Sequence, residues 1–189
     1  FQLLTRQLVP PEKPEIVIKA TGYQWYWGYE YQDGSDIAFE QRLIARDDGS
    51  EEAKTERASY GKEDKVEYPR LLVVDNEIVL PVGKVIQVLV TAEDVIHAFA
   101  LPAFGLKIDA IPGRMNEVWF KPEKEGLYYG QCSELCGRDH AFMPIGIRVV
   151  SQEQYAAWQE AAKSDVGKAN KDLMATLETT KKPVELAGN

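Results

Sequence analysis

The sequence predicts an all-β domain, a Greek-key β-barrel or sandwich, followed by a C-terminal helix. Three observations carry that prediction. Short apolar runs rich in Val, Ile, Tyr and Trp recur along the chain, turn signals separate them at close intervals, and the last run gives way to a helical pattern behind a capping signal. With 189 residues, 44% of them hydrophobic, the chain is long enough to bury one core.

Residues 1–14 read as an extended linker, because Pro10, Pro11 and Pro14 block a helix. From Glu15 the pattern turns to β. Ile16, Val17 and Ile18 come first, then an aromatic run from Tyr23 to Tyr31 in which alternation would place Trp25 and Trp27 on one face and Tyr26 on the other. Residues 45–68 hold eight acidic and five basic residues with almost no apolar periodicity, so they read as a solvated insertion or a short helical excursion. Strands are expected over Leu71–Val74, Glu77–Leu80, Lys84–Thr91, Val95–Leu101, Met115–Lys121, Gly126–Gln131 and Ile145–Val150. Asp75-Asn76, Pro81-Val82-Gly83, Pro112-Gly113 and Glu125-Gly126 supply turns between them. Ser151 and Gln154 form a capping box, opening a helix through about Ser164 with Tyr155, Trp158 and Ala162 on its apolar face. Residues 165–189 read as a polar, loosely held tail. The chain thus divides into a linker (1–14), a β domain (15–150) and a C-terminal helix and tail (151–189).

No stretch approaches the ~20 consecutive apolar residues of a membrane helix. With neither a signal peptide nor an initiator Met, the chain reads as trimmed. A net charge of −8 argues against nucleic acid, whose phosphates demand a basic face, and suits a basic protein partner.

The chemistry lies in the only two cysteines and two histidines of the chain. Cys132, Cys136 and His140 are spaced by three residues each, Met143 follows after two more, and His97 must arrive from elsewhere in the fold. Two thiolates and two imidazoles alone would make an acceptable tetrahedral zinc site. Met143 tips the balance, since a thioether is a soft, weak ligand that copper electron-transfer sites use axially. A mononuclear blue-copper site would leave one thiolate over, whereas two coppers bridged by both thiolates use every member of the set. Without metal, the two cysteines could instead form a disulfide in an oxidising compartment.

The segment Gly130-Gln131-Cys132-Ser133-Glu134-Leu135-Cys136-Gly137-Arg138-Asp139-His140-Ala141-Phe142-Met143-Pro144, with His97 upstream, resembles the binuclear copper A site of cytochrome c oxidase subunit 2. Two further stretches are similar to the same family: Gly22-Tyr23-Gln24-Trp25-Tyr26-Trp27, and Gly105-Leu106-Lys107-Ile108-Asp109-Ala110-Ile111-Pro112-Gly113-Arg114. The resemblance runs from about Glu15 to Trp158 with one gap, and is to bacterial, alphaproteobacterial-like members.

It implies a cupredoxin-like fold, two membrane helices preceding the chain, and a place on the periplasmic side of a bacterial inner membrane, or the intermembrane-space side of the mitochondrial one. The implied role is electron transfer in an aa3-type oxidase, from cytochrome c to heme a in subunit 1, which with subunit 3 completes the complex; oxygen reduction and proton pumping belong to the partner. The implied cofactors are two copper ions and a magnesium shared with subunit 1. The resemblance makes His97, Cys132, Cys136, His140, Met143 and the backbone carbonyl of Glu134 copper ligands, and gives the Glu134 carboxylate to magnesium. It makes Trp25 the point of electron entry, and Asp109 and Arg114 part of the face toward subunit 1. Glu30, Asp75, Glu93 and Asp94 are the carboxylates expected to surround Trp25 and dock the donor. Two rivals stand beside this reading: the copper A domain of nitrous oxide reductase, which usually has Trp where Glu134 stands and lacks the Gly22–Trp27 run, and a zinc-stabilised binding module.

Overall fold

Alternation of buried and half-exposed residues shapes the first sheet of the computed structural model, which describes residues 2, 5, 9–46 and 49–180. In β1 (Ile16–Tyr23), Ile16, Ile18 and Ala20 are buried while Val17 and Lys19 are not, and β5 (Ile86–Ala92) repeats the pattern with Ile86, Val88, Val90 and Ala92. These strands pair in parallel with Ile18 opposite Val88. β2 (Tyr26–Tyr31), β3 (Ala38–Gln41) and β8 (Asn116–Phe120) add antiparallel neighbours, in the order β3-β2-β1-β5-β8.

A second sheet faces it, built from β4 (Ile78–Pro81), β6 (His97–Leu101), β7 (Leu106–Ala110), β9 (Gly126–Cys132) and β10 (Pro144–Val150) in the order β4-β10-β9-β6-β7. Trp27, Tyr29, Phe99, Leu101 and Ile145 fill the space between the sheets. All seven residues of β10 are buried, because both of its faces are covered. Ile145, Ile147 and Val149 join the core. On the other face, Gly146 lies so close to Val74 that a Cβ would stand 2.6 Å from its Cγ2.

Of the two alternatives for residues 45–68, the short helical excursion is present, and the segment is not solvated throughout. Its helix α1 (Glu51–Ser59) forms behind the Ser50 cap, but Arg57 and Lys62 are buried rather than solvated. Arg57 donates to the carbonyls of Lys62 and Tyr68, at 3.0 and 2.9 Å. The Lys62 ammonium donates to the Val74 carbonyl at 2.6 Å and pairs with Glu77 at 3.1 Å. Arg148 of β10 pairs with the same Glu77 and donates to the Tyr68 hydroxyl at 3.0 Å. Two of the charges that made the segment look solvated, Arg57 and Lys62, are thus buried groups that fasten it. Residues 47–48 lie outside the described residues.

Two further expectations change. Leu71–Val74 is not a strand and contributes only an isolated bridge between Leu43 and Val74, while β3 and β7, which lack a long apolar run, are strands. Helix α2 (Gln152–Ala162) carries the capping box and buries Tyr155, Trp158 and Ala162. The expected loose tail instead continues as helix α3 (Val166–Thr180), burying Ala169, Asn170 and Leu173. Val166, Ala169, Leu173 and Leu177 form a narrow stripe at helical spacing that the many polar residues obscured. The Trp158 indole N–H donates to Asn170 Oδ1 at 2.7 Å, locking α3 onto α2. Residues 1, 3, 4 and 6–8 of the expected linker and 181–189 of the expected tail lie outside the described residues. Among the described residues, no helix is long and apolar enough to cross a membrane.

Candidate metal centre

His97 opens β6 and Cys132 closes β9, and the register of these neighbours sets Phe99 opposite Cys132. The histidine and the first cysteine therefore meet at one end of the second sheet. The chain leaves β9 through residues 133–143, anchored by a hydrogen bond from Ser133 N to the Ala98 carbonyl and by a 3₁₀ turn over His140–Phe142. This loop returns Cys136, His140 and Met143 to the same point.

The donor atoms form one chain of contacts. His97 Nδ1 lies 3.8 Å from Cys132 Sγ, which lies 3.9 Å from Cys136 Sγ, which lies 3.5 Å from both His140 Nδ1 and Met143 Sδ. The Glu134 carbonyl oxygen stands 3.4 Å from Cys132 Sγ. His97, Cys132, Cys136 and Met143 are buried. The structure thus gathers every copper ligand expected from the sequence, including the Glu134 carbonyl.

This donor set fits a pair of soft metal ions. Two sulfurs bound to one ion at ~2.3 Å across a tetrahedral angle stand ~3.8 Å apart, close to the separation of the two free thiols. A single four-coordinate ion would leave two of the six donors unused, whereas a pair of ions would have a use for all six.

Burial pushes both thiols up, yet Cys132 ends near 7 because His97 and the Ala98 backbone stabilise its thiolate. Cys136, beside that thiolate, is pushed up to about 12 by burial and by the Cys132 charge. On His97, burial opposes protonation, but Cys132 and Asp94 outweigh it and raise the imidazole pKa. Asp94 Oδ1 lies 2.9 Å from His97 Nε2, which fixes Nδ1 as the nitrogen facing the sulfurs. Desolvation of Asp94 is likewise outweighed by its hydrogen bonds with His97, Val95 N and Gln24 N, and its pKa is lowered.

The supporting residues come largely from the Gly22–Trp27 run, in which sequence reasoning gave a role beyond the aromatic core to Trp25 alone. Gly22 leaves room for the imidazole: a Cβ there would lie 2.9 Å from His97 Cδ2. Trp27 is fully buried, packs edge-on against Phe99 and donates to the Met143 carbonyl at 3.3 Å. Trp25 does not share its face, because the chain turns between β1 and β2. It lies half-buried over the metal loop, where a Cβ on Gly137 would stand 3.0 Å from the indole Cζ2, and the Arg138 guanidinium is 5.6 Å from its ring centroid.

The Glu134 side chain is exposed and lines an open groove with Lys107, Asp109, Arg114 and Asn116. Of the four expected docking carboxylates, Glu93 is exposed and Glu30 is exposed but paired with Lys19 at 2.7 Å. Asp94 is committed to His97. Asp75 accepts from Arg42 N and Asn76 N, and borders a separate cavity with Tyr60, Lys171 and Met174, so its carboxylate is poorly suited to docking.

Comparison with known proteins places this geometry. The family described as "Cytochrome C oxidase subunit II, periplasmic domain" matches residues 16–150. Cytochrome c oxidase subunit 2 of Cereibacter sphaeroides is 43% identical over 182 residues, covering 92% of this chain and 57% of the relative. The probable subunit 2 of Rickettsia bellii is 46% identical over 158 residues, 84% of this chain and 53% of the relative. This chain therefore spans little more than half the length of these relatives. Among solved structures, the periplasmic domain of subunit II of cytochrome oxidase from Bradyrhizobium japonicum superposes with a TM-score of 0.68 at 54% identity, covering 82% of this chain and 98% of that one. Subunit II in a mixed disulfide intermediate with a thioredoxin-like protein matches at a TM-score of 0.64, also at 54% identity, covering 84% of this chain and 97% of that one.

Proposed function

The chain belongs to the cytochrome c oxidase subunit II family as its periplasmic domain, and on that premise we propose that it is the electron-entry domain of an aa3-type oxidase. The observation that carries the proposal is the unbroken run of contacts that links two thiols, two imidazoles, a thioether and a carbonyl at one end of the second sheet. When bound, a copper pair supplies a one-electron couple between cytochrome c and heme a of subunit 1. His97, Cys132, the Glu134 carbonyl, Cys136, His140 and Met143 hold it.

The remaining residues do what a protein can do for such a centre. The second sheet fixes His97 and Cys132 at strand ends, so the ligands move little when charge changes, and Phe99, Trp27 and Ile145 exclude water from the inner side. Trp25, half-exposed and against Gly137, is placed to pass an electron from the surface to the ligand loop. Exposed Glu93, with Glu30 and Asp94, supplies negative charge toward a basic cytochrome c. The Glu134 carboxylate, beside Asp109 and Arg114, faces the groove where a magnesium shared with subunit 1 is expected, a carboxylate being a hard ligand that magnesium accepts. In the intact complex, with subunits 1 and 3, this domain would stand on the periplasmic side of the inner membrane, while oxygen reduction to water and proton pumping take place in subunit 1. The mixed disulfide that the 54% identical relative forms with a thioredoxin-like protein supports thiol–disulfide exchange at the cysteines of this chain as well.

Zinc in place of copper would leave Met143 Sδ and the Glu134 carbonyl without a use. Stopped-flow mixing of the copper-loaded domain with ferrous cytochrome c tests the proposal. Rapid oxidation of the cytochrome with matching loss of the copper visible absorption is expected; a fully loaded domain that leaves the cytochrome ferrous would reject it.

A further inference from the structure

The ligand set reaches the site in two pieces, and one residue is linked to both, to one directly and to the other through Asp94. His97 comes on β6, whereas Cys132, Glu134, Cys136, His140 and Met143 come on the end of β9 and its loop. Gln24, in the turn between β1 and β2, donates its backbone N–H to Asp94 Oδ2 at 2.6 Å, and the other oxygen of that carboxylate holds His97 Nε2 at 2.9 Å. The Gln24 side-chain amide donates to the Cys136 carbonyl at 2.7 Å.

We propose that Gln24 is a positioning residue that clasps the two halves of the metal centre together, acting on His97 through Asp94 and on the cysteine loop through the Cys136 carbonyl. The surrounding chemistry supports this. Gly137, next to Cys136, adopts φ +125° and lies directly beneath Trp25, so it gives the loop little restraint of its own, and the amide of Gln24 supplies one. The Cys136 sulfur is the hub that contacts Cys132, His140 and Met143. A rotation of the Cys136 peptide therefore disturbs three donor contacts at once. The clasp also places the electron-entry tryptophan, because Trp25 directly follows Gln24.

The proposal rests on the copper reading above, so the test has one arm with metal and one without. In the loaded domain, Gln24→Met keeps side-chain length but removes the amide donor. It should release copper to a chelator about 10–100-fold faster than wild type and shift the reduction potential, while the melting temperature of the metal-free protein stays unchanged. Wild-type release with a wild-type potential overturns the clasp, and so does a lowered metal-free melting temperature with unchanged release and potential, which would mark Gln24 as structural only. In the metal-free domain, hydrogen exchange of the Gln24 backbone amide should be slow in wild type and fast in Asp94→Ala, with Asp94→Asn in between. Slow exchange surviving in Asp94→Ala overturns the Asp94 link. Absence of bound copper in wild-type protein would instead count against the functional reading, leaving the exchange arm to judge the clasp.

Discussion

Gly22→Ala adds a single methyl group and tests whether His97 is held as tightly as its neighbours imply. The backbone at Gly22 is not in the left-handed region, so alanine is accepted there and the effect is steric. The new Cβ would lie 2.9 Å from His97 Cδ2, 3.0 Å from Cγ and 3.2 Å from Cβ. Carbon atoms pack comfortably at ~3.5–4.0 Å, so the imidazole must retreat by about 0.6 Å. That exceeds the ~0.2 Å tolerance of a metal–ligand bond. The ring has no easy escape, being held by Asp94 on Nε2 and packed near Trp27, with ring centroids 6.0 Å apart. Overpacking of this kind costs about 1–3 kcal/mol, which at ~1.4 kcal/mol per tenfold corresponds to a loss of roughly 5- to 150-fold in copper affinity. Chelator competition, followed through the visible absorption of loaded protein, measures it. Unchanged affinity and spectrum would show that His97 moves freely, and the account of a rigid ligand cradle would be wrong.

Trp25→Ala should slow reduction by cytochrome c at every salt concentration while leaving the copper spectrum near normal; wild-type rates would move electron entry elsewhere. Glu93→Gln should flatten the salt dependence of the same stopped-flow rate, and is a cleaner docking probe than a change at Asp94, which also holds His97. Glu134→Ala should leave the copper spectrum nearly intact, since a carbonyl ligand survives the change, while weakening manganese binding in the assembled oxidase; unaltered manganese affinity would remove the carboxylate from that site. Glu77→Gln leaves Lys62 and Arg148 without their buried counter-charge and should destabilise the fold by about 3–5 kcal/mol. Burial pushes the Glu77 carboxyl up, but Lys62 and Arg148 outweigh it and hold its pKa below the ordinary value. That contribution is fully present above the unfolded pKa of about 4.3 and is lost as pH falls through the lower folded value. Urea midpoints should therefore fall less steeply in the variant than in wild type as pH drops from about 4.3 through the lower folded value; parallel curves across that window would contradict the role given to Glu77.

The candidate donor cluster was legible in the sequence because its loop is local. Cys132, Cys136, His140 and Met143 lie within one loop, so their spacing constrains the geometry directly, and only His97 needed the fold to bring it in. Most of the two sheets were legible for a similar reason, as in β5, where alternation matches burial residue by residue. What escaped was non-local. Lys62 and Arg57 look like solvent charges until Glu77, the Val74 carbonyl and the Tyr68 carbonyl are placed around them. Helix α3 shows its stripe only once α2 offers Trp158 to Asn170. Gln24 gave no signal within its motif, because its partners Asp94 and Cys136 are 70 and 112 residues away. Asp75 read as a surface carboxylate, yet burial raises its pKa despite the backbone N–H groups of Arg42 and Asn76 that it accepts.

The central claim is that one buried donor set holds two coppers as a single electronic unit, and electron paramagnetic resonance of the copper-loaded, oxidised domain tests it most directly. With both thiolates shared, one unpaired electron should couple equally to two copper nuclei, in protein that carries two coppers per chain and absorbs strongly in the visible. A spectrum showing the electron confined to one copper nucleus, or a silent, colourless protein holding a single zinc, would contradict the account.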